Sequence, residues 1–264
     1  MSLLADRDER LCTESSQLAT RGYCRFQVTE LADGDVTGAV AGLQESLDAL
    51  PSDPYGRSRN RYRRYSQAVL LPWCDQLEWI PDLCDSSGPY TEYFQGNYNP
   101  EYPGSRRRFA SLTPELKSDP VVQRLVWHDF RLTSWNEGQL VRPFSVGVHL
   151  VKLLATESGE PAFSSPDILH QDGEPYTFVH LVARDNAVGA TNVIAEPHCS
   201  GCRPEEVTRD FILDEFELLE PLDSYGVQDR SVSHYVSEVH RGAEPRPGVR
   251  AAMLIDFTPL APTV

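Results

Sequence analysis

From Phe144 to the end of the chain, short apolar runs recur at close intervals, at residues 145–154, 177–183, 192–195, 211–219, 231–239 and 249–257. Glycine, proline and aspartate punctuate the gaps. Runs of this length suit strands, and turn-rich gaps do not read as the crossover helices of βαβ units. The rhythm is that of a β-sandwich or jelly roll. The N-terminal half has another texture. Val36, Val40, Leu43, Leu47 and Leu50 recur at helical spacing, with Asp35 as cap and Pro51 as stop, which predicts a helix over about 34–50. Asp119-Pro120, a cap followed by proline at the first helical position, predicts a second helix to about His128. Tyr90 to Pro103 is aromatic and amide-rich without a helical period. The expectation is a mainly β fold with some α. It is one domain over 1–264, with a helical and irregular part (about 1–143) packed on a jelly-roll β core (about 144–260).

Charge narrows the function. A net charge of −15 in 264 residues argues against nucleic acid, whose phosphates demand a basic footprint, and disfavours anionic membrane surfaces. The first ten residues, with charges of both signs and no apolar core, do not read as a signal peptide, and no apolar run has the length of a membrane span. Six cysteines are too sparse for a disulfide scaffold, so a reducing, cytoplasmic setting is expected. Cys199-Ser200-Gly201-Cys202 has metal-like spacing but no second ligand pair, and reads as a loop. The basic run from Arg57 to Arg64 reads as a solvated strand or sheet edge in preference to a substrate contact.

His170-Gln171-Asp172 stands out against this background. Side chains two apart on an extended segment face the same way, so the imidazole and carboxylate can meet one ion, and Gly173 permits a tight turn after them. Taken alone the triplet also fits an Asx turn. Within Ser231–Ser237, His234 shares parity with Val232 and Val236 and so points to the apolar face, while Ser231, Ser233 and Tyr235 point out. His240 has the same parity but adjoins Arg241-Gly242, where the strand ends, so His234 is the preferred partner. His149 and His180 sit within strands and are candidates to line a pocket. Two imidazoles and a carboxylate cover one face of a metal and leave the other open, the arrangement of mononuclear non-haem Fe(II) oxygenases. Arg250, on the inward face with Ala252 and Leu254, is costly to bury without an anion. Either an internal carboxylate or the far carboxylate of a keto acid would satisfy it.

These residues stand in an order that resembles a known family. Gly147-Val148-His149, then His170-Gln171-Asp172-Gly173, then Arg184-Asp185-Asn186 lie as in the 2-oxoglutarate/Fe(II) dioxygenases of the double-stranded β-helix fold, and within them the bacterial isoleucine 4-hydroxylase-like group of free amino-acid hydroxylases. The similarity runs from about Arg61 to Phe257 and includes Asp229–His234 and Arg250–Phe257. It implies that His170, Asp172 and His234 hold Fe(II), that 2-oxoglutarate chelates the metal with its far carboxylate on Arg250, and that O2 is consumed to give succinate and CO2. It also implies a small free L-amino acid as substrate, hydroxylated at an unactivated side-chain carbon. Such a zwitterion needs a cation for one end and an acid or amide for the other, and Gln95, Asn99, Arg107, Arg108, Glu174 and His149 are the candidates by type. Lys152, Gly189-Ala190-Thr191 and Pro166-Asp167 depart from the usual pattern and bear on the substrate. A carrier-bound or peptide-derived substrate, a cupin-like binding protein and a zinc hydrolase are the alternatives.

Overall fold

A computed structural model describes residues 2–28, 36–56, 60–156, 158–164 and 166–260. The C-terminal apolar runs form strands at Phe144–Ala155, Tyr176–Asp185, Asn192–Ala195, Ile212–Phe216, Ser233–Val236, Val239–Arg241 and Gly248–Pro259. A seven-stranded antiparallel sheet runs in the order Tyr23–Gln27, Asp223–Gln228, Tyr176–Asp185, Gly248–Pro259, Phe144–Ala155, Arg61–Leu71 and Gln76–Trp79. A three-stranded sheet pairs Ile212–Phe216 with Asn192–Ala195 and that with Ser233–Val236. Between 144 and 259 the chain crosses repeatedly from one sheet to the other, as a jelly roll does.

The central strands of the large sheet have two buried faces, so each reads as a nearly continuous apolar run. On one face Val146, Val148, Leu150, Phe178, Val182, Met253, Ile255 and Phe257 join a buried cluster with Leu18, Leu43 and Leu125 of the helices. The other face looks toward the small sheet and carries the polar groups described below. His180 sits on the helical face, completely buried, with Nδ1 2.8 Å from Ser224 Oγ and Nε2 2.8 Å from Asp129 Oδ2. The Ser224 hydroxyl donates to Leu222 O, so it accepts from Nδ1–H, and His180 ties helix Pro120–Leu132 to the sheet rather than lining a pocket.

The predicted second helix spans Pro120–Leu132, with Asp119 accepting from Val121 N–H. The predicted first helix is Val36–Ser46 with a 3-10 turn at Leu47–Ala49, and its expected cap Asp35 lies outside the described residues. Helix Ser2–Arg21 has no counterpart in the periodicity reading. The region over 90–103 supplies strand Gly88–Tyr93 and a loop, and Arg107–Ala110 pairs with that strand. No helix among the described residues is long and apolar enough to cross a membrane.

The basic run departs most from expectation. Arg57 and Arg59 fall outside the described residues, but the basic start of Arg61–Leu71 is not solvated: Phe144–Ala155 pairs with it on one side, and Pro51–Asp53 covers the other through Asp53 N–H to Arg61 O and Arg63 N–H to Pro51 O. Arg61, Arg63 and Tyr65 share a face with Leu153, Val151 and His149 of the next strand, while Ser66, Ala68 and Leu70 are buried on the other face. Arg61 is buried against Asp53, with Nε donating to Oδ2 at 2.7 Å, and Arg63 reaches into the interior.

Candidate active site

Strand alternation sets the site. Arg61 stands opposite Leu153, and Leu153 opposite Arg250; Tyr65, His149 and Leu254 form a parallel row. All of these but Tyr65, which backs His149, line a cavity with Thr177, Val179 and Tyr225, and the same cavity carries His170, Asp172 and His234.

Two hydrogen bonds join the backbones of His170 and His234, N–H to O in each direction at 3.0 and 2.9 Å. This bridge places two imidazoles of distant sequence side by side, with ring centroids 4.3 Å apart. Asp172 completes the group. Its Oδ1 is 3.6 Å from His170 Nε2, its Oδ2 is 3.3 Å from His234 Nε2, and one ligand atom from each residue lies within 4.8 Å of the others. His170 Nδ1 donates to Ile168 O at 2.9 Å, which leaves the Nε2 lone pair directed at the group. Burial and the adjacent His234 push the His170 imidazole down to about 4, so it is neutral at ordinary pH, as a ligand must be. Burial also opposes charge on His234, but the Asp172 carboxylate outweighs it and leaves that imidazole above its ordinary value. Burial would raise Asp172, yet His234, by charge and hydrogen bond, and His170 hold its carboxyl well below the usual range. A carboxylate facing two imidazoles with an open side fits a divalent iron.

Asp229 holds the turn that carries Asp172. Its two carboxylate oxygens accept from Asp172 N–H at 2.6 Å and Gly173 N–H at 2.9 Å. Gly173 has φ +92°, and a Cβ there would lie 2.4 Å from the Tyr98 ring, so glycine is required twice over. Gln171 anchors the same turn by donating to Val232 O. These contacts set the direction in which the Asp172 carboxylate points.

Arg250 lies deeper. It is 6% exposed, its Nε has no hydrogen-bond partner, and no carboxylate among the described residues pairs with it. Burial pushes its guanidinium down, with the Tyr225 hydroxyl opposing. The internal-carboxylate alternative for Arg250 therefore has no residue to carry it. Lys152 points to the opposite face, 3.6 Å from Asp48 and over the Tyr62 ring.

The outer half of the cavity mixes charges and rings. Gln95 Nε2 donates to Asp172 Oδ1 at 3.3 Å, and its Oε1 accepts from Arg107. Asn99 is buried in the wall, its Oδ1 accepting from Glu101 N–H. His149 stacks on Tyr65 with 4.2 Å between centroids. Burial and the Arg63 guanidinium hold His149 well below its ordinary value, so it is neutral. It accepts from Arg63 at Nδ1, 2.6 Å, and donates from Nε2 to Asp256, 3.3 Å. Burial, then Asp172, lifts Asp256 to about 7. Glu174 Oε1 accepts from Tyr93 Oη–H at 3.2 Å, and burial with Asp256 and Asp172 nearby raises its carboxyl well above the usual range.

Of the residues expected at the site, the structure brings together His170, Asp172, His234, Arg250, Gln95, Asn99, Arg107, His149 and Glu174. Arg108 is excluded: it alternates with Arg107 on a short strand, so its side chain is more than half exposed and pairs with Glu92. His240 is half-exposed and bound to Glu238, outside the group. Ser233 points away from the cavity, as parity requires, yet it is buried and donates to Glu196 O. The Cys199–Cys202 segment is a turn and loop that backs Leu169, the residue before His170. Arg63, Asp256 and the Asp229 buttress are the parts that sequence reasoning missed. Parity with Leu254 could have flagged Asp256.

The chain belongs to the 2OG-Fe dioxygenase family, whose sequence profile matches residues 44–256. It is accordingly an enzyme that uses Fe(II), 2-oxoglutarate and O2. Among its relatives, L-isoleucine-4-hydroxylase of Bacillus thuringiensis is 32% identical over 192 residues, 71% of this chain and 70% of the relative. The 3(1)-hydroxy-L-isoleucine 4-dioxygenase of Pantoea ananatis is 28% identical over 225 residues, 84% and 82% of the two chains. Among solved structures, IDO from Bacillus thuringiensis superposes with a TM-score of 0.72 at 20% identity, covering 95% of this chain and 96% of that one. A bsmA homologue from Methylobium petroleophilum PM1 gives 0.76 at 18% identity, covering 96% and 95%. These likenesses establish the shared fold.

Proposed function

We propose that this enzyme hydroxylates an unactivated side-chain carbon of a free L-amino acid, with succinate and CO2 as co-products. The observation that carries the reading is the pairing of a buried His170–Asp172–His234 group with an unpaired buried Arg250 in one cavity. His170, Asp172 and His234 would hold the iron, and Arg250 would take the far carboxylate of 2-oxoglutarate. When bound, Fe(II) with the keto acid supplies the activation of O2 that the protein's own side chains lack. The chain's residues do the rest. Asp229 fixes the Asp172 turn, His170 keeps Nε2 toward the site through its bond to Ile168, and the apolar floor of Val179, Ala252 and Leu254 excludes water around the co-substrate.

The relatives named above act on isoleucine or its hydroxylated form, which favours a free amino acid over a carrier-bound or peptide-embedded one. The cavity supports this with both cations and acids in its outer half, because a zwitterion must pair both its charges when buried. An iron-ligand set kept with an oxoglutarate anchor disfavours a binding module or a zinc hydrolase. We further read the chain as one catalytic domain acting in the cytoplasm, where its free thiols suit a reducing medium. A screen of free amino acids with Fe(II), 2-oxoglutarate and O2, followed by mass spectrometry of succinate and of the oxygenated product, tests the reading. Equal turnover of peptide-embedded or carrier-tethered residues would overturn it.

A further inference from the structure

We propose that Arg63 and Glu174 are the two poles of the substrate clamp, Arg63 binding the α-carboxylate and Glu174 the ammonium. The assignment rests on the free amino-acid reading and extends it to particular residues. Four arginines line the cavity, and three are accounted for. Arg61 is paired with Asp53, Arg107 donates to Gln95 Oε1, and Arg250 stands in the deep row beside Leu153. Arg63 makes its direct contacts with neutral groups, Asp53 and Asp256 acting on it only from beyond hydrogen-bond reach. Its Nη2 donates to the neutral His149 at 2.6 Å, and its guanidinium lies 4.2 Å above the Phe109 ring. Neither contact supplies negative charge, both fix the plane of the group, and the buried Nε has no partner.

Glu174 is the converse. One carboxyl oxygen accepts from Tyr93, and the other, Oε2, is buried with no partner. Asp256, the other acid in the outer cavity, is engaged by Gly147 N–H and His149. The Tyr93 ring links the two poles, since the Arg63 guanidinium carbon is 5.4 Å from its centroid while its hydroxyl binds Glu174. A fixed cation and an acceptor, each with an unused buried atom, therefore share one aromatic ring. A dicarboxylate would satisfy only Arg63 and an apolar ligand neither; an α-amino acid satisfies both.

The test uses the best free amino acid from the screen, its carboxamide and its 2-hydroxy analogue, with wild type, Arg63→Gln, Arg63→Lys and Glu174→Gln. Wild type should prefer the free acid to the carboxamide by about 100-fold or more in kcat/KM, the scale of truncating a buried charge pair. Arg63→Gln should lose most of that ratio while keeping the preference for amine over hydroxyl, with part of the loss rescued in Arg63→Lys. Glu174→Gln should do the reverse. Thermal stabilisation by 2-oxoglutarate should stay unchanged in all three variants, which separates a lost clamp from a damaged fold. An unchanged acid-to-amide ratio in Arg63→Gln, or both ratios falling together in each variant, overturns the assignment alone. A wild type indifferent to both modifications overturns the free amino-acid reading and the clamp with it.

Discussion

Replacing Arg250 with methionine separates what a buried cation costs the fold from what it gives the ligand. Arg250 is 6% exposed, has no carboxylate partner among the described residues and shares its cavity with the apolar Val179, Ala252 and Leu254. An apolar side chain of similar length should be neutral there or stabilise the fold by about 1–4 kcal/mol, as when a buried ionic group yields to a hydrophobic one. On the ligand side the same change should remove about 2–5 kcal/mol of binding. That is roughly 30-fold to several-thousand-fold in affinity. Wild type at a 2-oxoglutarate concentration of about 100 Kd gains about 2.7 kcal/mol. For a chain of this size that is a rise of roughly 5–10 °C in Tm. Thermal unfolding with Mn(II) in place of iron, with and without 2-oxoglutarate, reads both quantities. Arg250→Met should start at or above the wild-type Tm and respond little to the keto acid. A full ligand-induced rise in the variant refutes Arg250 as the anchor. A ligand-free variant destabilised by more than about 2 kcal/mol refutes the account of its burial.

Asp172→Ala and His234→Ala should each abolish the visible charge-transfer band of anaerobic Fe(II) with 2-oxoglutarate, while His240→Ala, bound to Glu238 outside the group, should keep it; the opposite pattern for the two histidines would move the distal ligand. Asp129→Asn should destabilise the fold by about 1–3 kcal/mol in urea, because it weakens a fully buried hydrogen bond from His180 to a carboxylate. Asp256 should make stability depend on pH in the metal-free protein. An acid whose pKa is higher folded than unfolded favours folding while protonated, and loses that contribution as pH rises from about 4 through about 7. Wild type should therefore lose Tm relative to Asp256→Asn between pH 5 and pH 8, and parallel curves would count against the shift.

The grouping of His170, Asp172 and His234 was legible in the sequence because period-two alternation is reliable over short distances. It put His170 and Asp172 on one side of an extended segment, and His234 and Arg250 on inward faces, and the structure has all four lining one cavity. His180 shows where alternation stops being informative. Both faces of Tyr176–Asp185 are buried, so parity separates two sets of residues without saying which set meets the cavity. Arg63 was missed for a related reason. A cation interleaved with tyrosines looks the same at a solvated edge as beside a substrate, and only the packing of Pro51, Phe109 and His149 on Arg63 reveals that it is buried. Helix Ser2–Arg21 is mostly polar, with Leu11 and Leu18 packed against the core, too narrow a stripe to stand out.

The reciprocal bridge between His170 and His234 works as a gauge for the distance between the two imidazoles. Because the pairing is antiparallel, that distance depends on register at one point and not on the length of chain between them. Exposed stretches of the intervening chain that do not touch the bridge, such as residues 208–210, can therefore gain or lose residues in evolution or design without moving either ring. A single-residue slip at the bridge is a different matter, since it would turn His234 to the opposite face of its strand. Mutational tolerance should accordingly be broad along such exposed stretches and fall abruptly at Ser233, His234 and Tyr235, a contrast that deletion scanning would display as a step.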